Sequence, residues 1–120
     1  MRCRSAAERV RTDRGSVTAE FAAVAPAALL VLAMALMGMQ VAGVHLRLQD
    51  AVADAARSLG RGDSASSAAA LVSRAVPGAR LAVSVRDELV CADATAPSAG
   101  GALLAGLTVT ATSCALTGGE

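Results

Sequence analysis

The sequence predicts an α+β protein with a long N-terminal helix, a second short helix and a small antiparallel sheet of about three strands. Two observations lead to this fold class. A run of 24 uncharged, mostly apolar residues at 21–44 continues without a breaker into a helical pattern. After the Pro77-Gly78 pair, the spacing of apolar residues changes from three or four to two, which is typical of strands.

The apolar run is long enough to cross a membrane. As a helix, its 24 residues extend about 36 Å at ~1.5 Å per residue, against a hydrocarbon core of about 30 Å. The apolar region of a secretory signal is shorter, at only ~7–15 residues. We therefore predict a single membrane span in the first half of the long helix, with membrane lipid as a partner.

Arginine residues on the N-terminal side predict the orientation of this span. Residues 1–14 hold five Arg and two acidic residues, whereas Arg47 beyond the run is soon balanced by Asp50 and Asp54. Basic residues that flank a span stay on the cytoplasmic side. The expected location is the cytoplasmic membrane, with the N-terminus in the cytoplasm and the C-terminal part outside.

The composition argues against catalysis. The chain has no Lys, Tyr or Trp, one Phe and one His, His45, which leaves few groups for acid–base chemistry or for stacking on a base or sugar. Residues 16–120 hold six Arg against eight acidic residues, which disfavours nucleic acid. We predict no enzyme activity, no cofactor and no nucleic-acid partner. We also predict no metal site, because the two cysteines after residue 60 have no histidine near them in the sequence to complete a tetrahedral shell.

Glu20 is an acidic residue directly before the apolar run. A carboxylate drawn fully into the bilayer costs on the order of ~3 kcal/mol, so this one either extends to the interface or has a partner. The residues RGSVTAEFA at 14–22 resemble the cleavage motif of type IV prepilins of the Flp subclass, in which a Gly precedes the cut and a Glu and an aromatic, here Glu20 and Phe21, follow it. The continuation EFAAVAP at 20–26 is similar to the TadE family of minor pilins and pseudopilins of tight-adherence pili.

The resemblance extends strongly over about residues 14–45 and implies a structural function in a pilus. It implies that a prepilin peptidase cuts between Gly15 and Ser16, so that residues 1–15 form a basic leader. The new α-amino group, with an ordinary pKa of about 8, is then protonated and pairs with Glu20 of an adjoining subunit. The implied partners are the prepilin peptidase, other pilin subunits and the pilus assembly machinery, and assembly would carry the chain into an extracellular pilus.

Pro26 lies inside the predicted helix, six residues after Glu20. It removes one backbone donor and should kink or loosen the helix near Ala22. Membrane helices tolerate such a residue where neighbouring groups satisfy the freed carbonyl. The resemblance makes this proline an expected feature, and a neutral kink is the alternative.

The helix is predicted to continue past the membrane, covering residues 16–59 in all. Its outer part carries one apolar stripe and an i, i+3 ion pair between Asp54 and Arg57. The stripe consists of Leu48, Val52, Ala55 and Leu59. Gly60 ends the helix and begins a small exported head of residues 60–120.

The head is predicted to begin with a turn and a second helix. In Arg61-Gly62-Asp63-Ser64, either Asp63 or Ser64 is placed to cap a helix over about residues 65–76. We interpret the Arg-Gly-Asp tripeptide as this turn rather than as an integrin-binding motif. Strands follow at residues 80–86, 89–95 and 107–112, with a loop at 96–106.

The three cysteines are divided by the predicted membrane. Cys3 lies in the leader, whereas Cys91 and Cys114 lie on the exported side, where a disulfide persists. A bridge worth ~2–4 kcal/mol would stabilise so small a head, and we expect one. Two unpaired buried thiols are the alternative, because a simple hairpin register places Cys91 opposite a residue a few positions short of Cys114.

The leading hypothesis is a minor pilin or pseudopilin processed after Gly15. One alternative is an uncleaved single-span membrane protein with a small extracytoplasmic interaction domain. Another is a secreted protein released by signal peptidase near Ala56. The three differ in the first residue of the mature chain, which is Ser16, Met1 or a residue near Ala56.

Overall fold

The computed structural model describes the backbone of residues 10–99 and 101–118. Within those ranges, it also describes the exposure of Gly15 and the side chains from residue 17 onward. Helix α1 spans Val10–Gly60 and α2 spans Ala65–Ala75; strands β1, β2 and β3 span Arg80–Arg86, Leu89–Pro97 and Thr108–Leu116, with a short 3₁₀ turn at Gly101–Leu104. The predicted α+β class with these components is confirmed. Cys3 and the first part of the basic leader lie outside the described residues.

Helix α1 is continuous, as the absence of a breaker between the span and the amphipathic stripe predicts. It continues through Pro26, and the kink expected there stays a prediction. The chain divides into two compact units, one up to Leu36 and one from Met37 onward. The second unit therefore begins well before Gly60, the residue at which the head is predicted to begin.

The turn between α1 and α2 is fixed by hydrogen bonds. Gly62, with φ of 92°, donates its N–H to the Leu59 carbonyl oxygen at 3.0 Å. Ser64 is the cap of α2, and its hydroxyl oxygen accepts from the Ser67 N–H at 3.2 Å. Asp63, the other predicted cap, instead accepts a hydrogen bond from the Ser58 hydroxyl at 2.6 Å.

The sheet has the order β1-β2-β3, and both pairs are antiparallel. Cys91 lies directly opposite Cys114, so the register predicted from a simple hairpin is wrong. The reason is that β2 extends to Pro97, which pairs with Thr108. The loop is therefore shorter than predicted, and β3 continues past Thr112 to Leu116.

The core of the second unit is built largely from small side chains. The inner face of the sheet contributes alanines of β2 and Ala111 of β3, and both helices pack on them. The buried cluster contains Leu48, Ala51, Val52, Ala55, Ala56, Ala68, Val72, Val76, Ala92, Ala94, Ala96 and Ala111. Alanine faces let backbones approach closely but bury little apolar surface per residue.

The apolar spacing of two in β1 would bury Leu81, Val83 and Val85 together, but the strand buries them only in part. Leu81 packs against the core, but Val83 and Val85 are 38% and 68% exposed. All three residues lie on the same face, opposite Ala94, Ala92 and Val90 of β2. The difference arises because β1 is an edge strand, and the buried alanine surface lies on β2.

Candidate membrane and assembly segment

The first part of α1 exposes an apolar surface that nothing in its own chain covers. The 18-residue window that qualifies the helix as a candidate membrane span has a mean hydropathy of 2.3, and none of that window is buried. Its large side chains are exposed, including Phe21, Leu30 and Met39. A surface of this size in water requires a cover, either lipid or other protein. By length and composition, this helix is suited to a single membrane span.

The residues of the predicted cleavage and assembly motif all lie on this helix. Ser16 precedes Glu20 by four positions along α1, which is about one helical turn. Phe21 and Glu20 are both exposed, and no side chain among the described residues lies within 4 Å of where a Cβ on Gly15 would be. The motif is therefore presented on an open helix surface.

Glu20 is a carboxylate at the N-terminal boundary of the uncharged run. Among the described side chains, it takes part in no ion pair. Because the next charged residue along the helix is Arg47, no basic group of the span lies near enough to compensate it. Among the described side chains, therefore, none supplies a cation to Glu20.

Cys91 and Cys114 form the expected disulfide. Their sulfurs are 2.01 Å apart, and 23 positions separate them in the chain. Cys91 is buried on the central strand and Cys114 is exposed on β3. The bridge therefore links these two strands on the outer face of the sheet. The alternative of two free thiols is therefore wrong. Within the described ranges, no three His, Cys, Asp or Glu residues are grouped closely enough to hold a metal ion.

The remaining predicted features are local. The Asp54–Arg57 ion pair is present at 2.7 Å on the exposed face of α1. In the Arg-Gly-Asp turn, Arg61 and Asp63 approach to 3.7 Å, which stabilises the turn itself. At the β1–β2 turn, the Glu88 carbonyl oxygen accepts the Thr117 N–H at 2.8 Å. We see no catalytic geometry in these described contacts.

The structure bears on the alternative of cleavage near Ala56. Ala56 is buried in the middle of the packed half of α1. A cut there would remove Leu48 and Val52, which are both fully buried. Since these are two of the three largest fully buried side chains, the head would lose a large part of its core.

Three features of the structure were not predicted from the sequence. One is the close approach of Gly60 to β3, where an added Cβ would lie 2.8 Å from the Leu116 carbonyl oxygen. Another is the Ser84 hydroxyl, which is buried without a hydrogen-bond partner in the described structure. The third is an exposed leucine loop between β2 and β3; its signal in the sequence is the absence of charge from residue 94 to residue 119.

Comparison of the chain with protein-family models, with curated proteins and with solved structures gives no match. The residues of the N-terminal motif and the exposed surface of α1 are therefore the features from which a function can be inferred.

Proposed function

We propose that this chain is a minor pilin or pseudopilin of a tight-adherence type IV pilus. The observation that carries the proposal is the combination of Gly15, Glu20, Phe21 and Pro26 on a helix whose apolar surface is unburied. Each residue has a place in the prepilin pattern that the sequence resembles. The exposed helix supports the proposal because a subunit that assembles through its helix must leave that surface free.

Processing is the first step of the proposed function. A prepilin peptidase on the cytoplasmic face cleaves the peptide bond between Gly15 and Ser16. The cut removes five of the eleven Arg residues, which otherwise hold the N-terminus in the cytoplasm. It also creates a cationic amino group at Ser16, at the edge of the apolar phase.

Assembly is the second step, and Glu20 selects the position of one subunit against the next. Two unpaired charges at the membrane boundary are each unfavourable, whereas an amine and a carboxylate from neighbouring subunits compensate each other. The pair forms only at one axial offset between helices. Glu20 therefore acts in assembly and carries out no reaction of its own.

The N-terminus of the mature chain tests the processing step. The protein is produced in cells that contain the tight-adherence prepilin peptidase, and its N-terminus is read by intact-mass spectrometry. We expect the chain to begin at Ser16, and replacing Gly15 by Val should leave it beginning at Met1. A native chain that begins at Met1 in the presence of an active peptidase would contradict the proposal and favour the uncleaved single-span protein.

A Glu20→Gln variant tests the assembly step. We expect normal cleavage but a loss of about tenfold or more in recovery with other pilin subunits, equivalent to ~1.4 kcal/mol. Asp50→Asn is the matched control, because Asp50 is an exposed acid on the same helix beyond the apolar run. If both variants co-purify with pilin subunits as well as the native chain does, Glu20 has no function in assembly.

A further inference from the structure

Two contacts show how the sheet is oriented along the C-terminal part of α1. At one end, the Gly118 N–H donates to the Gly60 carbonyl oxygen at 3.1 Å. At the other end, Ala99 lines a shallow cleft of about 330 Å³. The remaining residues of this cleft belong to α1 and are Met39, Gln40, Gly43, Val44 and Arg47. The loop between β2 and β3 therefore lies beside the last turns of the apolar run, which ends at Val44.

This loop holds leucines in solvent although its backbone is hydrogen-bonded. Ser98 donates its N–H to the Leu107 carbonyl oxygen at 2.9 Å, and the Leu107 N–H donates to the Leu104 carbonyl oxygen at 3.0 Å. The Ser98 hydroxyl donates to the same Leu104 oxygen at 3.3 Å. Leu103 and Leu107 are nevertheless 80% and 56% exposed. A closed loop with two exposed leucines and no charged residue presents a surface suited to an apolar environment.

Charge at this end of the sheet is basic. Arg47 lines the cleft beside Ala99, and Arg80 lines a second shallow cleft with Pro97 and Thr108. Both arginines are exposed, and neither forms an ion pair within the described residues. At the opposite end of the sheet, Arg86 adjoins Asp87 and Glu88, and Arg57 and Arg61, which line a cleft there with Leu116, form ion pairs with Asp54 and Asp63. Leucines flanked by arginines suit a phospholipid surface, where acyl chains lie beneath phosphates.

We propose that the leucine loop, residues 101–107, inserts into the headgroup region of the bilayer. The insertion is at the membrane surface from which α1 emerges after Val44. Leu103 and Leu107 contact the acyl chains, and Arg47 and Arg80 face lipid phosphates. The inference rests on the proposed function only in requiring that α1 cross a membrane. The occupant of the leucine surface is phospholipid, because the loop lies beside the last turns of the apolar run and two arginines without an ion pair among the described residues lie at this end of the sheet. Before assembly, the head therefore contacts the membrane at two places, through α1 and through this loop.

Single-tryptophan variants of the full chain test this proposal, because the native sequence contains no Trp and no Tyr. Leu103→Trp, and separately Leu107→Trp, report on the loop. Val85→Trp is the matched control, since Val85 is similarly exposed but lies at the end of β1 far from the leucine loop. Leu30→Trp reports on the span. Non-reducing electrophoresis first confirms the disulfide of each variant. Each variant is then reconstituted in phosphatidylglycerol–phosphatidylcholine vesicles at a low and at a high protein-to-lipid ratio, with and without doxyl-labelled lipid.

The proposal expects emission at shorter wavelength and quenching by doxyl lipid for the Leu30, Leu103 and Leu107 variants, with Val85→Trp emitting as in water. Quenching at Leu30 without quenching at either loop position would overturn the loop contact and leave the membrane span standing. Emission as in water at Leu30 would overturn the span and the loop contact together. A loop signal that appears only at high protein density would identify a second subunit as the cover and reject lipid.

Discussion

Ser58 and Ser84 are two serines of the head in opposite hydrogen-bonding situations. Ser58 is buried on α1 and donates to Asp63 at 2.6 Å, which links the end of α1 to the following turn. Ser84 lies on β1, and its hydroxyl is buried with no partner within the described structure. A hydrogen bond to a charged group stabilises a fold, whereas a buried hydroxyl without a partner destabilises it.

Replacing each serine by alanine should therefore change stability in opposite directions. We expect Ser58→Ala to lower the free energy of unfolding by about 1–2 kcal/mol and Ser84→Ala to raise it by about 1 kcal/mol. The measurement is hydrogen exchange of the β2 amides by mass spectrometry, in the full chain in detergent micelles. Destabilisation by both variants would mean that the Ser84 hydroxyl has a partner in solution.

Gly60 is needed in the fold for two reasons, and only the first can be read from the sequence. The sequence predicts it as the end of α1, and the structure makes it the last residue of that helix. The same glycine lets β3 approach, since a Cβ there would lie 2.8 Å from the Leu116 carbonyl oxygen and 3.3 Å from the Cβ of Ala115.

We expect Gly60→Ala to destabilise the head by about 1–3 kcal/mol, because backbone atoms of β3 must move to admit the methyl group. Helix propensity alone would favour alanine by ~1 kcal/mol. Gly43→Ala is the control, because Gly43 is also helical but a Cβ added there would meet no neighbouring atom within 4 Å. The same exchange measurement should show faster exchange in β2 for Gly60→Ala alone, and equal exchange in both variants would contradict the steric argument.

At the scale of elements, the sheet has a weakly specified register. The inner face of β2 reads Val90, Ala92, Ala94 and Ala96, and alanines fit opposite one another at several offsets. Register is otherwise specified by side chains of distinct size on a buried face. The disulfide between Cys91 and Cys114 fixes one offset and so determines which residues of β3 reach the core.

Removing the disulfide should cost the head more than an ordinary surface change. For the double variant Cys91→Ala, Cys114→Ala we expect a loss of about 3 kcal/mol, from the loop-closure effect in the unfolded chain. Cys3→Ser should leave stability unchanged. Exchange of the β2 and β3 amides measures the loss, and a double variant as protected as the native chain would show that packing alone sets the register.

At the scale of the whole molecule, α1 serves both compact units. Its first part supplies the exposed apolar surface, and its last turns supply Leu48 and Val52, two of the three largest fully buried side chains of the core. A head that began at Gly60 would lack this face of its core. The small alanine faces of β2 and β3 would then be open to water.

Two fragments test this dependence. A fragment of residues 45–120 lacks the apolar run but keeps Leu48 and Val52, and we expect it to fold with its disulfide and to unfold cooperatively. A fragment of residues 60–120 should show no cooperative transition, because it loses several buried side chains worth about 2–5 kcal/mol each. Circular dichroism during heating is the measurement, and a cooperative transition in the shorter fragment would contradict the argument.

The sequence by itself determined the features that depend on local pattern. The length of the apolar run, the period of the stripe after it, and the Pro77-Gly78 break are readable without neighbours, because helix and strand impose different spacings on apolar residues. For the candidate site, the sequence also supplied Gly15, Glu20, Phe21 and Pro26, since the motif lies within a single helix.

Tertiary structure alone decided the features in which residues distant in the chain meet. The register that sets Cys91 directly opposite Cys114, the contact of Gly60 with β3 and the exposure of Val83 depend on strand pairing and on which face the helices cover. Alanine-rich strands carry little size information to fix these, so no spacing rule predicts them. The position of the leucine loop is likewise decided by tertiary structure, because only the packed sheet brings residue 99 beside the last turns of the apolar run.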